Sequence, residues 1–168
     1  LLSTAVMATG SIVSADPQNA GQIIHLPLIV SPSGPPEIEL VPFATIPGGD
    51  TITGIVNAGD ERLFVVERTG RIFIVQAEGT TLEDPFLDIT DNVSDDNWEE
   101  GLLGLEFHPN YPGTPYFYVV YTNVKHVIVL SRFSVSSSNP DMADKDSEVN
   151  LLSIPKPASA GNDAYKVH

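Results

Sequence analysis

The 168-residue chain contains no cysteine, which excludes disulfides, thiolate metal sites and cysteine nucleophiles together. It is also poor in cations, with 8 Lys and Arg against 22 Asp and Glu and a formal net charge of −14. A surface of that sign repels nucleic-acid phosphates and anionic lipid, so neither is an expected partner. Solubility alone accounts for such an excess of acid, and it says nothing specific about a neutral ligand. A spanning helix needs roughly 20 apolar residues, and the small apolar run from Leu1 to Ala15 is interrupted by Gly10, Ser11 and Ser14. No Gly-x-Ser-x-Gly or Walker pattern occurs, and Gly48-Gly49 does not lead from a strand into a helix as a dinucleotide-binding fingerprint would. A serine hydrolase and a nicotinamide enzyme are therefore unsupported.

What is present reads as short strands between turns. Leu1 to Ala15 ends in the small residues Val13-Ser14-Ala15, which is the pattern of a secretory signal whose charged start is missing; an extracytoplasmic location, secreted or periplasmic, is expected. An extended, Pro- and Ser-rich linker is expected over residues 16–37, because Ser31-Pro32-Ser33-Gly34-Pro35-Pro36 suits neither helix nor central strand. From Ile38 onward, strands are expected at Ile38–Ile46, Thr51–Val56, Leu63–Glu67, Arg71–Val75, Phe86–Ile89, Tyr116–Tyr121, Val127–Val135 and Val149–Ile154. Arg68-Thr69-Gly70 joins two of them as the clearest hairpin. The polar stretch 136–148 is expected as loop. Strands of this length at hairpin spacing exclude a parallel α/β sheet and point to an all-β sandwich, barrel or propeller.

The most informative stretch is Glu99-Glu100-Gly101-Leu102-Leu103-Gly104-Leu105-Glu106-Phe107-His108-Pro109-Asn110-Tyr111. Gly101 and Gly104 free the backbone for a bend or for close approach of another group. Leu102, Leu103, Leu105 and Phe107 form an apolar run of strand length, and His108-Pro109-Asn110 ends it.

That stretch resembles the signature of the glucose/sorbosone dehydrogenase family, and Leu63-Phe64-Val65-Val66-Glu67-Arg68 with Gly70-Arg71-Ile72 resembles the family's first blade. The resemblance implies a six-bladed β-propeller, and for many members oxidation of aldose sugars with bound pyrroloquinoline quinone (PQQ). Six four-stranded blades need about 40–50 residues each, so the chain is expected to be an N-terminal fragment holding about the first two blades over residues 38–168. Its opening on Leu1 and its end at His168 agree with that expectation. Two blades alone leave open sheet edges and are expected to be weakly stable and inactive.

The resemblance also assigns candidate site residues. Glu99 stands where family members carry Gln or Glu against the quinone, and a carboxylate there can hydrogen-bond the edge of a planar ligand. His168 follows Leu151-Leu152-Ser153-Ile154-Pro155 after a loop, as does the family histidine that takes the sugar hydroxyl proton; it is equally a terminal residue without that role. The calcium that helps hold PQQ is bound in the family by a later blade, beyond this chain. Asp84, Asp88, Asp91, Asp95, Asp96, Glu99 and Glu100 crowd one region, where an acidic loop can coordinate Ca²⁺ through carboxylate oxygens; no EF-hand spacing is present, and a run of acids is ordinarily a solvated face. His108 reads as structural, His25 precedes the expected domain, and His126 sits at a hairpin tip with no evident partner. Two other readings are open: a non-catalytic binding module, since the family's propellers also occur in Hedgehog-interacting proteins, and a calcium-dependent lactonase-like propeller.

Overall fold

The computed structural model describes residues 22–30, 37–48 and 51–155. They form ten strands and no helix. β1 (Gln22–Val30) and β2 (Glu37–Ile46) make an antiparallel hairpin. β3 (Ile52–Asn57), β4 (Leu63–Glu67), β5 (Arg71–Val75) and β6 (Leu87–Asp88) form one four-stranded antiparallel sheet in chain order. β7 (Leu102–Phe107), β8 (Tyr116–Thr122), β9 (Ile128–Val135) and β10 (Ala143–Ile154) form a second of the same order. Two such meanders packed face to face are consecutive propeller blades, with β3 and β7 as their neighbouring inner strands.

The alternation of side chains along each strand decides what lies between the blades. Phe64 and Val66 of β4 and Ile72 and Ile74 of β5 point into a core shared with Leu105, Phe107, Phe117, Val119 and Phe133 of the second blade. Phe64 packs edge-on to Phe86 at 5.0 Å and lies 4.6 Å from Phe107, and Phe117 stacks on Phe133 at 5.7 Å. The alternate residues Val65, Phe73 and Val75 face the other way and are covered by Ile24, Ala44 and Ile46 of the β1–β2 hairpin. The first blade is thus buried on both faces, which is why β4 and β5 read as unbroken apolar runs. The second is buried on one face only, and β9 alternates strictly between buried and half-buried positions.

Two boundaries differ from the sequence reading. The 16–37 segment expected as a linker contains β1, which pairs with β2 along its length and buries Ile24 on the first blade. The expected loop 136–148 contributes the start of β10: Ala143 pairs with Val135 and Asp144 with Ser134, and the register then shifts before Val149 meets Arg132. β10 is the outermost and most exposed strand, so backbone pairing suffices and its polar residues carry no apolar period to read. The hairpin at Arg68-Thr69-Gly70 stands as expected, with Glu67 opposite Arg71.

Candidate functional site

Three connections meet at one end of the two blades: the β4–β5 turn, the loop before β7, and the β8–β9 hairpin. Backbone hydrogen bonds tie them together. Leu102 N–H donates to the Arg68 carbonyl at 2.8 Å, Thr122 N–H to Gly101 at 2.8 Å, Ser94 N–H to Thr122 at 2.8 Å and Val124 N–H to Asn92 at 3.1 Å. Thr53 Oγ1 adds a 2.7 Å bond to the Leu102 carbonyl, joining the two inner strands.

Arg68 fastens the acidic loop. Its Nη1 reaches the carbonyls of Asp95 at 2.9 Å, Asn97 at 3.2 Å and Glu100 at 3.3 Å, while Nη2 lies 3.6 Å from the Asp95 carboxylate. Gly101 makes this clamp possible. It sits at φ +142°, and a Cβ there would collide with Arg68 Cγ and stand 2.6 Å from the Arg68 carbonyl oxygen. The close approach read from the glycine in the sequence is therefore made by the protein's own arginine. Gly104 is different, since a Cβ there would meet Val120 at an ordinary 3.8 Å.

Inside the clamp, Glu100 is only 1% exposed. Its Oε2 accepts from Ser94 Oγ at 2.7 Å and lies 2.9 Å from His126 Nδ1. Burial pushes the Glu100 carboxyl up, but hydrogen bonds from Ser94, His126 and Asn97 and the charge of His126 outweigh it and hold the group below the ordinary glutamate range. His126 is presented by a tight hairpin in which it adopts φ +58°, unusual for a residue with a side chain. Its N–H donates to the Asn123 carbonyl, and Asn123 Oδ1 accepts from the N–H groups of Lys125 and Val127 at 2.9 and 3.0 Å. His126 was expected to lack a partner; it has Glu100. Spacing could not show this, because 26 residues separate the pair and only the pairing of β7 with β8 inside the second blade brings them together.

The remaining candidates are placed as follows. Glu99 is half-buried on the clamped loop, next to exposed Trp98. His168 lies outside the described residues, as does the expected signal segment. His108 is structural: its Nδ1 accepts from the Asn110 N–H at 3.1 Å in the turn that closes β7. Among the described residues no group of three His, Asp or Glu side chains converges to hold a metal. Arg71 is engaged as well as Arg68, with its Nε 2.7 Å from the fully buried Glu67 carboxylate. Both arginines at this end of the blades are thus committed to protein oxygens.

The glucose/sorbosone dehydrogenase family model matches residues 50–162. Human Hedgehog-interacting protein is 34% identical over 105 residues, covering 54% of this chain and 15% of that protein. Quinoprotein glucose dehydrogenase B of Acinetobacter calcoaceticus is 34% identical over 61 residues, covering 36% of this chain and 13% of that protein. The chain thus spans about one seventh of the curated relatives it matches. The crystal structure of an oxidoreductase described as a glucose dehydrogenase, from Thermus thermophilus, superposes with a TM-score of 0.52 at 24% identity, over 66% of this chain and 31% of that one, a likeness of fold. With its two antiparallel blades and with the family's pattern across two thirds of its length, the chain belongs to the glucose/sorbosone dehydrogenase family.

Proposed function

We propose that this chain forms the first blades of an exported quinoprotein oxidoreductase acting on the CH–OH group of aldose sugars. The observation that carries the reading is the placement of Glu99 on a loop held rigid by Arg68 and Glu100, in the family's own motif. Bound PQQ would supply the two-electron acceptor for the sugar's hydride. The donor set described above fits one edge of such a group: Glu99 can hydrogen-bond it, and cations for its carboxylates, with ligands for calcium, would come from elsewhere in the longer protein. His168 is proposed as the base that takes the hydroxyl proton, work suited to a side chain titrating near neutrality. The apolar run Leu1 to Ala15 supports export.

The test is reconstitution of the full-length protein with PQQ and Ca²⁺, aldoses and a dye acceptor, repeated with His168→Ala. Dye reduction that disappears in the variant supports both parts of the reading. Activity that survives removes His168 from the reaction.

A second reading is favoured by the Hedgehog-interacting proteins, whose similarity runs over 98 and 105 residues against 61 for the quinoprotein. In it, the propeller is a non-catalytic binding module, since a fold does not fix a function. Failure of the full-length protein to bind PQQ would select it.

A further inference from the structure

β6 and β10 are the outermost strands of their blades, and they meet where the Ala143 N–H donates to the Phe86 carbonyl at 2.7 Å. Beside that contact runs a groove of about 560 Å³, a volume ordinary for a binding site. Its floor is apolar, with buried Phe86, half-buried Pro85 and Met142, which is 42% exposed. The exposed side chains of Asp84, Asp88, Asp91 and Lys145 stand around that floor. A smaller cavity of about 160 Å³ continues the groove past Asp88, Asp91 and Lys145 to Asp146.

Lys145 reaches the groove through a break in the sheet. Asp144 pairs with Ser134 and Val149 with Arg132, so Lys145 to Glu148 stand against the single Phe133 of β9. The bulge is locked from its inner side. Glu148 Oε1 accepts from the Tyr121 hydroxyl at 2.8 Å and from Ser131 Oγ at 2.7 Å, and Ser147 Oγ accepts from the Ser134 N–H at 2.8 Å. Such a bulge gives up ladder bonds and re-aims a side chain. The side chain it sets in the groove is Lys145, which has no ion-pair partner among the described residues although three aspartates line the same groove. Asp84 and Asp91 are unpaired in the same sense. Asp88 is oriented by Thr90, whose N–H and hydroxyl both donate to its Oδ1, at 3.1 and 2.8 Å.

We propose that this groove is a docking site for an extended basic peptide segment of a protein partner. Lys or Arg side chains of the segment meet the aspartates, their alkyl stems lie over Met142 and Pro85, and a backbone carbonyl of the segment accepts from Lys145. Charge complementarity selects this occupant. The groove sets Asp84, Asp88 and Asp91 against one ammonium, on a chain of net charge −14, so an acidic segment is repelled. Lys145 separates a peptide from a free polyamine, which has no acceptor to offer it and brings a like charge beside it. Neither Glu99 nor His168 takes part, so the proposal stands whether or not the protein binds PQQ.

The test is calorimetric titration of the full-length protein at low salt with the peptide acetyl-Lys-Ala-Arg-Ala-Lys-amide. In parallel run the same peptide with Glu at its three charged positions, and spermidine. Saturable binding of the basic peptide is expected, with a Kd on the order of 100 μM. Reversing two rim charges, Asp84→Lys with Asp91→Lys, should weaken it about tenfold or more. Glu61→Lys with Glu78→Lys makes the same change in net charge at exposed positions outside the groove and should leave the Kd within about twofold. Lys145→Ala should weaken the peptide about threefold or more and leave spermidine no weaker. All five side chains are exposed, and an unchanged thermal transition in each variant shows that its fold is intact. Equal weakening by the two double variants would overturn the proposal, because net charge alone would then explain the binding. No saturation, or equal affinity for the acidic peptide, would overturn it as well. Spermidine binding as tightly as the peptide, or peptide binding indifferent to Lys145→Ala, would make the groove a site for simple cations instead.

Discussion

Glu100 Oε2 lies 2.9 Å from His126 Nδ1, and this one contact ties the acidic loop of the second blade to the hairpin between its middle strands. The sign of its pH dependence follows from the lowered Glu100 carboxyl. A depressed folded value contributes stability that is present above the ordinary glutamate range and is lost as pH falls through the folded value. Thermal unfolding followed from pH 7 to pH 3 should therefore show a steeper loss for the native chain than for Glu100→Gln, which has no proton to take up. Equal slopes would show that the pair carries no such coupling. Glu100→Ala, which leaves Ser94 and His126 without their buried acceptor, should cost about 1–3 kcal/mol.

The two glycines of the Gly-Leu-Leu-Gly motif should respond to the same substitution by very different amounts. Gly101→Ala places a methyl in the left-handed region of φ and within 2.6 Å of the Arg68 backbone, neither of which can be relieved by a side-chain rotation. A loss of about 2–4 kcal/mol is expected. Gly104→Ala meets only ordinary contact with Val120 and should change stability by less than about 1 kcal/mol. Chemical denaturation of both variants measures the difference, and similar losses would contradict the geometry.

The strand pattern was legible because it depends on alternation, which β8 and β9 display residue by residue. β4 and β5 were legible for another reason, as apolar runs too short for helices and joined by a turn at Gly70. The start of β10 was not legible: its residues are polar and outermost, and only the backbone records the pairing. The site divides in the same way. Glu99 is proposed on a local motif alone, and the same motif marks position 101 as one that needs glycine. That Arg68 fills the approach to Gly101 is a consequence of two blades meeting, and that Glu100 rather than its neighbour is buried on His126 follows from strand pairing inside the second blade; local spacing encodes neither.

The Arg68 clamp separates a charge effect from a geometric one. Its Nη1 serves three carbonyls while Nη2 approaches a carboxylate, an arrangement that needs the planar fork of a guanidinium. Arg68→Lys keeps the charge and can reach at most part of this set, whereas Arg68→Ala removes both. If the carbonyl bonds hold the loop, Lys should behave nearly as Ala does. In both variants the amide of Glu100 should exchange with solvent about tenfold faster or more, while amides inside β8 and β9 stay protected. The emission of Trp98, now without its guanidinium neighbour, should shift in parallel. Protection of Glu100 retained in Arg68→Lys and lost only in Arg68→Ala would show instead that charge neutralisation of Asp95 holds the loop, and that the three carbonyl bonds accompany the clamp without supporting it.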